Sequence, residues 1–222
     1  MLELKSVSKM YKFHSNKLLV LDNVNFKIER GCFISLMGKS GSGKTTLLNI
    51  ISGIIKPSSG VVQFNGKEVK KSFDRFASKF RKENVGYVFQ QFNLIPYYTA
   101  LENVIAPLKF TSHHPKTHKS RGMGVLDKLG ILDKKDYYPN LLSGGQMQRV
   151  AIARALVTEP KLIIADEPSG NLDQSTANEI IDLFKKLNSD NNVGFLIATH
   201  DREIISSSKE IYKIESKTLL KV

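Results

Sequence analysis

A glycine-rich segment near the N-terminus has the spacing of a phosphate-binding loop. It reads Gly38-Lys39-Ser40-Gly41-Ser42-Gly43-Lys44-Thr45, follows the apolar run 33–37 and opens an apolar helix predicted from Lys44 to about Ser52. Glycines allow consecutive backbone N–H groups to surround an anion, and the helix N-terminus adds a partial positive charge. Lys44 would reach the β- and γ-phosphates, and Thr45 would offer its hydroxyl to Mg²⁺. The segment therefore predicts a site for a nucleoside triphosphate.

A pair of carboxylates follows a second apolar run. The predicted strand 162–165 ends in Asp166 and Glu167. Because ligands bind beyond the carboxyl ends of strands in open parallel sheets, we expect both side chains to face the phosphate-binding loop. Asp166 could then hold Mg²⁺ through water, and Glu167 could act as the general base on an attacking water. The alternative is a solvated turn that happens to carry two acids.

A second glycine-containing segment lies between these two motifs. Ser143-Gly144-Gly145-Gln146 follows Leu142 and opens a helix predicted over residues 146–157. A serine, two glycines and a helix N-terminus can together bind an anion. Taken alone, however, such a segment is more often a helix cap than a ligand site.

Strands that alternate with helices must position these motifs. Leu2, Leu4 and Val7 nearly alternate with polar residues, as do Val24, Phe26 and Ile28, which predicts N-terminal strands. Further strands are predicted over residues 61–64, 85–89 and 193–199, and a further amphipathic helix over residues 176–187. Buried apolar strands that alternate with helices predict an α/β fold, with a parallel sheet covered by helices on both faces.

The middle of the chain, about residues 91–141, has a helical pattern. Thr99 and Glu102 have the spacing of a capping box at the start of a helix. Residues 111–124 are polar and interrupted by glycine, which predicts a mobile loop. Glycine costs about 1 kcal/mol in a helix interior, so we expect the next helix to begin near Val125.

The composition excludes several classes of protein. With 222 residues, 41% of them hydrophobic and 24% charged, the chain can bury a core and is neither disordered nor collagen-like. One cysteine, Cys32, excludes an internal disulfide and a cysteine metal cluster, and we expect it to be a small buried hydrophobe. No run approaches the ~20 apolar residues of a membrane span, so a role at the membrane would need a partner chain.

The net charge of +12 is uneven along the chain. Residues 1–90 carry a net charge of +10, whereas residues 142–222 carry −1. The basic half could meet phosphates, anionic lipid or nucleic acid, or it could be an ordinary solvated surface. Within it, segment 67–82 places Phe73, Phe76 and Phe80 on one helical face. We interpret that face as core and the rest as solvated, with contact to anionic headgroups as the alternative.

Taken together, the motifs resemble the ATP-binding subunit of ABC transporters. The resemblance extends through nearly the whole chain, and its most specific part is the signature Leu142-Ser143-Gly144-Gly145-Gln146 between the phosphate-binding loop and the carboxylate pair. It implies a P-loop NTPase fold of the ABC ATPase type in a single domain, residues 1–222. That fold has a mainly parallel sheet, an N-terminal antiparallel β subdomain and a helical subdomain at about residues 91–158.

The resemblance also implies roles for residues by position. Tyr11 matches an aromatic residue that stacks on adenine, although an ordinary strand-end tyrosine is the alternative. Gln90 matches a glutamine that senses Mg²⁺ and faces the membrane subunit, and Gln91 is an adjacent alternative. Asp173 matches a loop residue at a dimer interface, and His200 matches a histidine that contacts the γ-phosphate.

The implied cofactors are ATP and Mg²⁺, and the implied reaction is ATP hydrolysis coupled to transport. The residues assigned to catalysis are Glu167, His200 and Gln90, and those assigned to the metal are Thr45, Gln90 and Asp166. Those assigned to the nucleotide are Tyr11, Gly38, Lys39, Ser40, Gly41, Ser42, Gly43, Lys44, Thr45, Thr46, Ser143, Gly144, Gly145, Gln146 and Asp173.

Other segments indicate a subfamily. Residues 92–96, residues 99–104 and the EPSGNLD segment that begins at Glu167 are similar to the lipoprotein-release, macrolide-export and antimicrobial-peptide-export group. That group implies a head-to-tail homodimer with two ATP molecules at its interface. It also implies a separate membrane-spanning permease subunit with an extracytoplasmic domain, and a peripheral location on the cytoplasmic face of the membrane.

Two other functions compete with this one. A soluble ABC ATPase acting on DNA or ribosomes would suit the positive charge, but the coiled-coil or zinc insertions and the second cassette of such proteins are missing. No specific nucleic acid partner is therefore expected. A P-loop kinase is disfavoured because it would need an acceptor site in place of the signature. Lys39 departs from the family, which often has proline or a small residue there.

Overall fold

The computed structural model describes residues 1–14, 16–68 and 73–222, except for the side chains of Phe13, residues 73–76 and Asn191. Two sheets organise this part of the chain. The first is antiparallel, in the order β2-β1-β4-β5. Its strands are β1 (Leu2–Phe13), β2 (Asn16–Ile28), β4 (Ser59–Phe64) and the short β5 (Lys67–Glu68).

The second sheet holds the motifs that could do chemistry. Its order is β10-β9-β3-β8-β7-β6, and all neighbouring pairs are parallel except the β9–β10 hairpin. The strands are β3 (Phe33–Met37), β6 (Val85–Val88), β7 (Leu162–Asp166), β8 (Gly194–Ala198), β9 (Glu210–Glu215) and β10 (Thr218–Lys221). Because β3, β6, β7 and β8 run in the same direction, the loops after them meet at one edge of the sheet.

The alternation of side chains along β7 divides the core into two layers. Leu162 and Ile164 belong to the core layer that contains α1, α2 and the antiparallel sheet, whereas Ile163 and Ala165 belong to the layer that contains α3, α4, α5 and α6. All four side chains are fully buried, as expected for a strand covered on both faces. The predicted α/β class, with helices on both faces of a mainly parallel sheet, is confirmed.

Seven α-helices are described: α1 (Lys44–Ile51), α2 (Phe73–Asn84), α3 (Ala100–Ile105), α4 (His118–Lys128), α5 (Gly144–Leu156), α6 (Gln174–Asn191) and α7 (Arg202–Ser207). Short 3₁₀ turns cover Ala106–Phe110, Pro115–Thr117, Leu132–Lys134 and Pro139–Leu141. The predicted capping box at the start of α3 is confirmed, because Thr99 and Glu102 exchange both hydrogen bonds. Helix α6 is longer than predicted, since it begins directly after its N-cap Asp173 and continues to Asn191.

The prediction for residues 111–124 is wrong in its second half. A 3₁₀ turn occupies Pro115–Thr117, and α4 begins at His118 rather than near Val125. The glycine at 122 allows α4 to approach α3 closely, because a Cβ there would lie 2.4 Å from the Ile105 Cγ2 atom. Tertiary packing thus outweighs the low helix propensity of glycine.

Several other expectations can be compared with the structure. Cys32 is buried as predicted, and burial raises the pKa of its thiol to about 11. Phe80 is buried, whereas the side chains of Phe73 and Phe76 lie outside the described residues. Among the described residues, none of the helices has the length and apolar character needed to cross a membrane.

Candidate functional site

One cavity collects most of the predicted site residues. It has a volume of about 780 Å³ and lies at the edge of the second sheet where β3, β7 and β8 end. Its walls contain Tyr11, residues 38–46, Gln90, Asp166, Glu167 and His200, together with Leu18 and Val20. These residues come from widely separated parts of the chain, and we call this cavity the nucleotide pocket.

The phosphate-binding loop forms the floor of the nucleotide pocket. Gly43, the N-cap of α1, has φ 107°, a conformation that residues with a Cβ rarely adopt. The Nζ atom of Lys44 donates a hydrogen bond of 2.8 Å to the Gly38 carbonyl and lies 3.8 Å from Glu167 Oε1. The ammonium is therefore held over the loop, where it could donate to a bound phosphate, an acceptor that carries a full negative charge.

A hydroxyl and a carboxylate meet beside Lys44. Thr45 Oγ1 donates a 2.8 Å hydrogen bond to Asp166 Oδ2, although the two residues are far apart in the chain. Hard oxygen ligands of this kind are those that Mg²⁺ prefers, so the donor set fits the metal. Behind them, burial and the charge of Asp166 raise the pKa of Tyr87, which keeps its phenol neutral.

Glu167 has an unusual backbone that sets the direction of its side chain. Its φ is 48°, in the left-handed region, and its N–H donates to the Ala198 carbonyl at 2.8 Å. The side chain is largely buried, and its Oε2 atom lies 2.9 Å from His200 Nδ1. The carboxylate is thus positioned between Lys44 and His200 at the mouth of the pocket.

The other predicted nucleotide ligands do not line the pocket. Ser143 caps α5: its Oγ accepts from the Gln146 N–H at 3.3 Å, and Gln146 Oε1 accepts from the Ser143 N–H at 2.9 Å. Gly145 packs against α6, because a Cβ there would lie 2.5 Å from Thr176 Cγ2. Asp173 caps α6, and its two hydrogen bonds from Thr176 lower the pKa of its carboxyl. We call residues 142–146 the signature segment.

The wall of the pocket also contains two residues predicted from the resemblance and two that were not predicted. Gln90 lies in the wall of the nucleotide pocket, whereas Gln91 does not. Tyr11 lies in the same wall and pairs directly with Leu18 across the β1–β2 hairpin. The sequence reasoning missed Leu18 and Val20. The register of the β1–β2 hairpin could have identified Leu18, because counting back from the turn pairs it with Tyr11.

Comparison with known proteins establishes the family. The sequence profile described as "ABC transporter" matches residues 21–170. The chain belongs to the ABC transporter family. It is an ATP-binding and ATP-hydrolysing subunit of a transporter, and the comparisons do not support the alternative of a soluble ATPase acting on DNA or ribosomes. The predicted ABC ATPase fold is confirmed as well.

Three similar proteins illustrate the match. The lipoprotein-releasing system ATP-binding protein LolD of Buchnera aphidicola is 40% identical, over 96% of this chain and 94% of the relative. The macrolide export ATP-binding/permease protein MacB of Syntrophobacter fumaroxidans is 38% identical, over 96% of this chain but 30% of the relative. A dimeric, post-hydrolysis structure of the Methanocaldococcus jannaschii cassette MJ0796 with ADP and Pi has a TM-score of 0.90 at 39% identity, covering 100% of this chain and 98% of that one. The predicted resemblance to the lipoprotein-release and macrolide-export group is confirmed.

Proposed function

We propose that the nucleotide pocket binds ATP with Mg²⁺ and that its residues divide the reaction between them. Lys44 binds the β- and γ-phosphates, and Tyr11 stacks on adenine. Thr45, Asp166 and Gln90 hold Mg²⁺, which would neutralise developing charge on the phosphates. The 2.8 Å contact between Thr45 and Asp166 supports this division, because it already brings two oxygen donors together beside Lys44.

Glu167 acts as the general base on the attacking water in this proposal. Its carboxylate lies between Lys44 Nζ at 3.8 Å and His200 Nδ1 at 2.9 Å. A γ-phosphate would attract both of those groups, since each can donate to its oxygens. The carboxylate would then be released toward the water at the position where a base is needed.

The division of the predicted ligands between two surfaces is the observation that carries the assembly proposal. The nucleotide pocket contains every predicted site residue except those of the signature segment and Asp173, which lie outside it at the starts of α5 and α6. A head-to-tail homodimer would place Ser143 and Gly145 of one chain on the γ-phosphate held by Lys44 of the other. Two ATP molecules would be buried at the interface, and Asp173 would lie beside it.

The Ser143 hydroxyl can serve such a dimer without giving up its cap. Its oxygen accepts from Gln146, which leaves its hydrogen free to be donated to a phosphate oxygen. Two ATP molecules then stabilise the closed dimer because each binds the closed state better than the open one. Hydrolysis removes that difference and opens the dimer, which moves the membrane partner.

A separate permease is the proposed partner, with a membrane-spanning part and an extracytoplasmic domain. The chain would bind it peripherally at the cytoplasmic face of the membrane. Two large apolar side chains are exposed on the segment that follows Gln90, Ile95 and Tyr97, with Tyr97 87% exposed, and Phe110 is exposed at the end of the 3₁₀ turn after α3. Exposed apolar side chains next to the loop that carries Gln90 suit a docking surface for another protein.

The experiment that tests this proposal measures mass in solution. The Glu167→Gln protein should scatter light as a dimer with ATP and Mg²⁺ and as a monomer with ADP. A monomer in both conditions would contradict the proposed assembly.

Tyr97→Ser should leave that dimer unchanged and reduce the amount of permease that co-purifies with the tagged chain in detergent. Equal recovery of the permease would contradict the proposed docking surface.

A further inference from the structure

The loop that carries Gln90 is held at two consecutive carbonyls by a side chain from α5, the helix that begins in the signature segment. This Gln90 loop, residues 89–99, connects β6 to α3. Arg154, in the last turn of α5, donates from Nη1 to the Asn93 carbonyl at 2.5 Å and from Nη2 to the Phe92 carbonyl at 2.7 Å. A single planar guanidinium thus makes two charge-assisted hydrogen bonds to neighbouring residues.

The backbone at these carbonyls is one that needs such support. Phe92 has φ 57° and Asn93 has φ 47°, so two successive residues without glycine adopt the left-handed conformation. Asparagine tolerates this region, but phenylalanine rarely adopts it without surrounding contacts. The turn redirects the chain directly after Gln90, so its conformation sets where Gln90 can lie.

Arg154 is also unusual as a cation. It is partly buried, and this burial lowers the pKa of its guanidinium. Both of its hydrogen-bond partners are neutral carbonyls rather than carboxylates. A lysine in this position could reach only one carbonyl at a time with good geometry, which distinguishes a bidentate clamp from a simple positive charge.

A second contact fixes Gln90 from the opposite direction. Asn171 Nδ2 donates to the carbonyl of Gln90 itself at 2.7 Å. Asn171 belongs to the loop between Glu167 and α6, so this contact belongs to the catalytic edge of the sheet. Removal of Arg154 would therefore leave Gln90 attached on one side only.

We propose that Arg154 is a positioning residue that fixes the Gln90 loop to α5 and so places Gln90 in the nucleotide pocket. The same helix carries the signature segment at its N-terminus, and its first residue, Gly144, lies about 15 Å from Arg154 at 1.5 Å per residue. A shift of α5 on binding the neighbouring chain's nucleotide would thus reach the chain's own Gln90 through this clamp. The inference rests on the proposed role of Gln90 with Mg²⁺.

The first test measures the loop directly in the purified full chain, without a membrane partner. In Arg154→Met, amides of residues 91–98 should exchange with deuterium roughly ten-fold faster, while those of β7 keep their rates. Arg154→Lys keeps the charge and can reach one carbonyl at a time, so its exchange rates should fall between those of the unsubstituted chain and those of Arg154→Met. Arg121→Met is the matched control, because it removes an arginine of α4 whose ion pair is with Glu159 and not with the Gln90 loop. Unchanged exchange at residues 91–98 in Arg154→Met would overturn the proposal.

The second test links the loop to the reaction. Arg154→Met should lower kcat about ten-fold and raise the Mg²⁺ concentration needed for half-maximal rate, with the KM for ATP within about two-fold. In a Gln90→Ala background, Arg154→Met should lower kcat little further, because Arg154 acts only by positioning Gln90. If the double variant instead lost kcat by the product of the two separate factors, the proposed role of Arg154 would be overturned, while the role of Gln90 would stand. A normal kcat in Gln90→Ala alone would overturn that role and with it this inference.

Discussion

The nucleotide pocket and the signature segment differ in how their polar groups are paired. In the pocket, pairs join distant parts of the chain, such as Thr45 with Asp166 and Glu167 with His200. In the signature segment, the side chains of Ser143 and Gln146 each accept from the other residue's backbone N–H, across one helical turn. The pocket is therefore assembled by the tertiary fold, whereas the signature segment is a local helix start. The difference is what the proposed dimer requires, in which the pocket of one chain is completed by the signature segment of another.

The largest expected effect comes from the carboxylate at the mouth of the pocket. Glu167→Gln should lower kcat by roughly 10²–10⁴-fold, because an amide cannot accept the proton of the attacking water. ATP binding should persist, since the side chain keeps its size. Phosphate release and filter binding measure the two quantities, with Glu203→Gln in α7 as the control. A normal rate of hydrolysis would remove Glu167 from the role of general base.

Lys44→Ala should have the next largest effect, on binding. The substitution removes the ammonium that lies over the phosphate-binding loop, so the Kd for ATP should rise roughly 100-fold or more, as expected for the loss of two charge-assisted hydrogen bonds. Lys56→Ala, a lysine just beyond α1, is the matched control. If equilibrium dialysis showed unchanged ATP binding by the Lys44→Ala protein, the pocket would not be the primary phosphate site.

A smaller effect is expected at the adenine end of the pocket. Tyr11→Ala should raise the KM for ATP about ten-fold and leave kcat nearly unchanged, which is the result of losing stacking in both ground and transition states. Stacking depends little on the identity of the base, so GTP should also be hydrolysed. A steady-state assay with both nucleotides measures this, and an unchanged KM would return Tyr11 to an ordinary strand residue.

The smallest effect is expected in the signature segment of the single chain. Gln146→Ala removes half of a capping box and should lower the free energy of unfolding by about 1 kcal/mol. ATP binding by the monomer should not change, because the residue lies outside the pocket. Urea unfolding measures the loss, and Glu102→Ala, in the matching box of α3, should give a similar value. A large loss of monomeric ATP binding would show that the two surfaces are not separate.

The sequence predicted the chemistry-bearing motifs better than their surroundings. Apolar runs identified β3 and β7, and Lys44, at the start of the helix after β3, lies in the same pocket as Asp166, the last residue of β7, as expected. These predictions succeed because strand direction alone brings their ends together. The left-handed backbone of Glu167 and the contact between Thr45 and Asp166 could not be predicted, since both depend on neighbouring strands.

The helical part shows why local propensity is a weaker guide. The glycines near residue 122 predicted a loop, yet Gly122 lies inside α4 and allows close contact with Ile105. Propensity describes an isolated helix, whereas here the packing partner determines the outcome. In the same way, nothing in the local sequence shows that Arg154 reaches back to the carbonyls of Phe92 and Asn93.

The central claim, that two chains complete one site, is tested most directly by Ser143→Arg in the Glu167→Gln background. With ATP and Mg²⁺, the parent should elute as a dimer and the double variant as a monomer that still binds ATP. Thr99→Arg is the matched control, because Thr99 caps α3 with the same hydrogen bonds as Ser143 caps α5. It should leave the dimer intact. A Ser143→Arg double variant that dimerises as well as its parent would contradict the account.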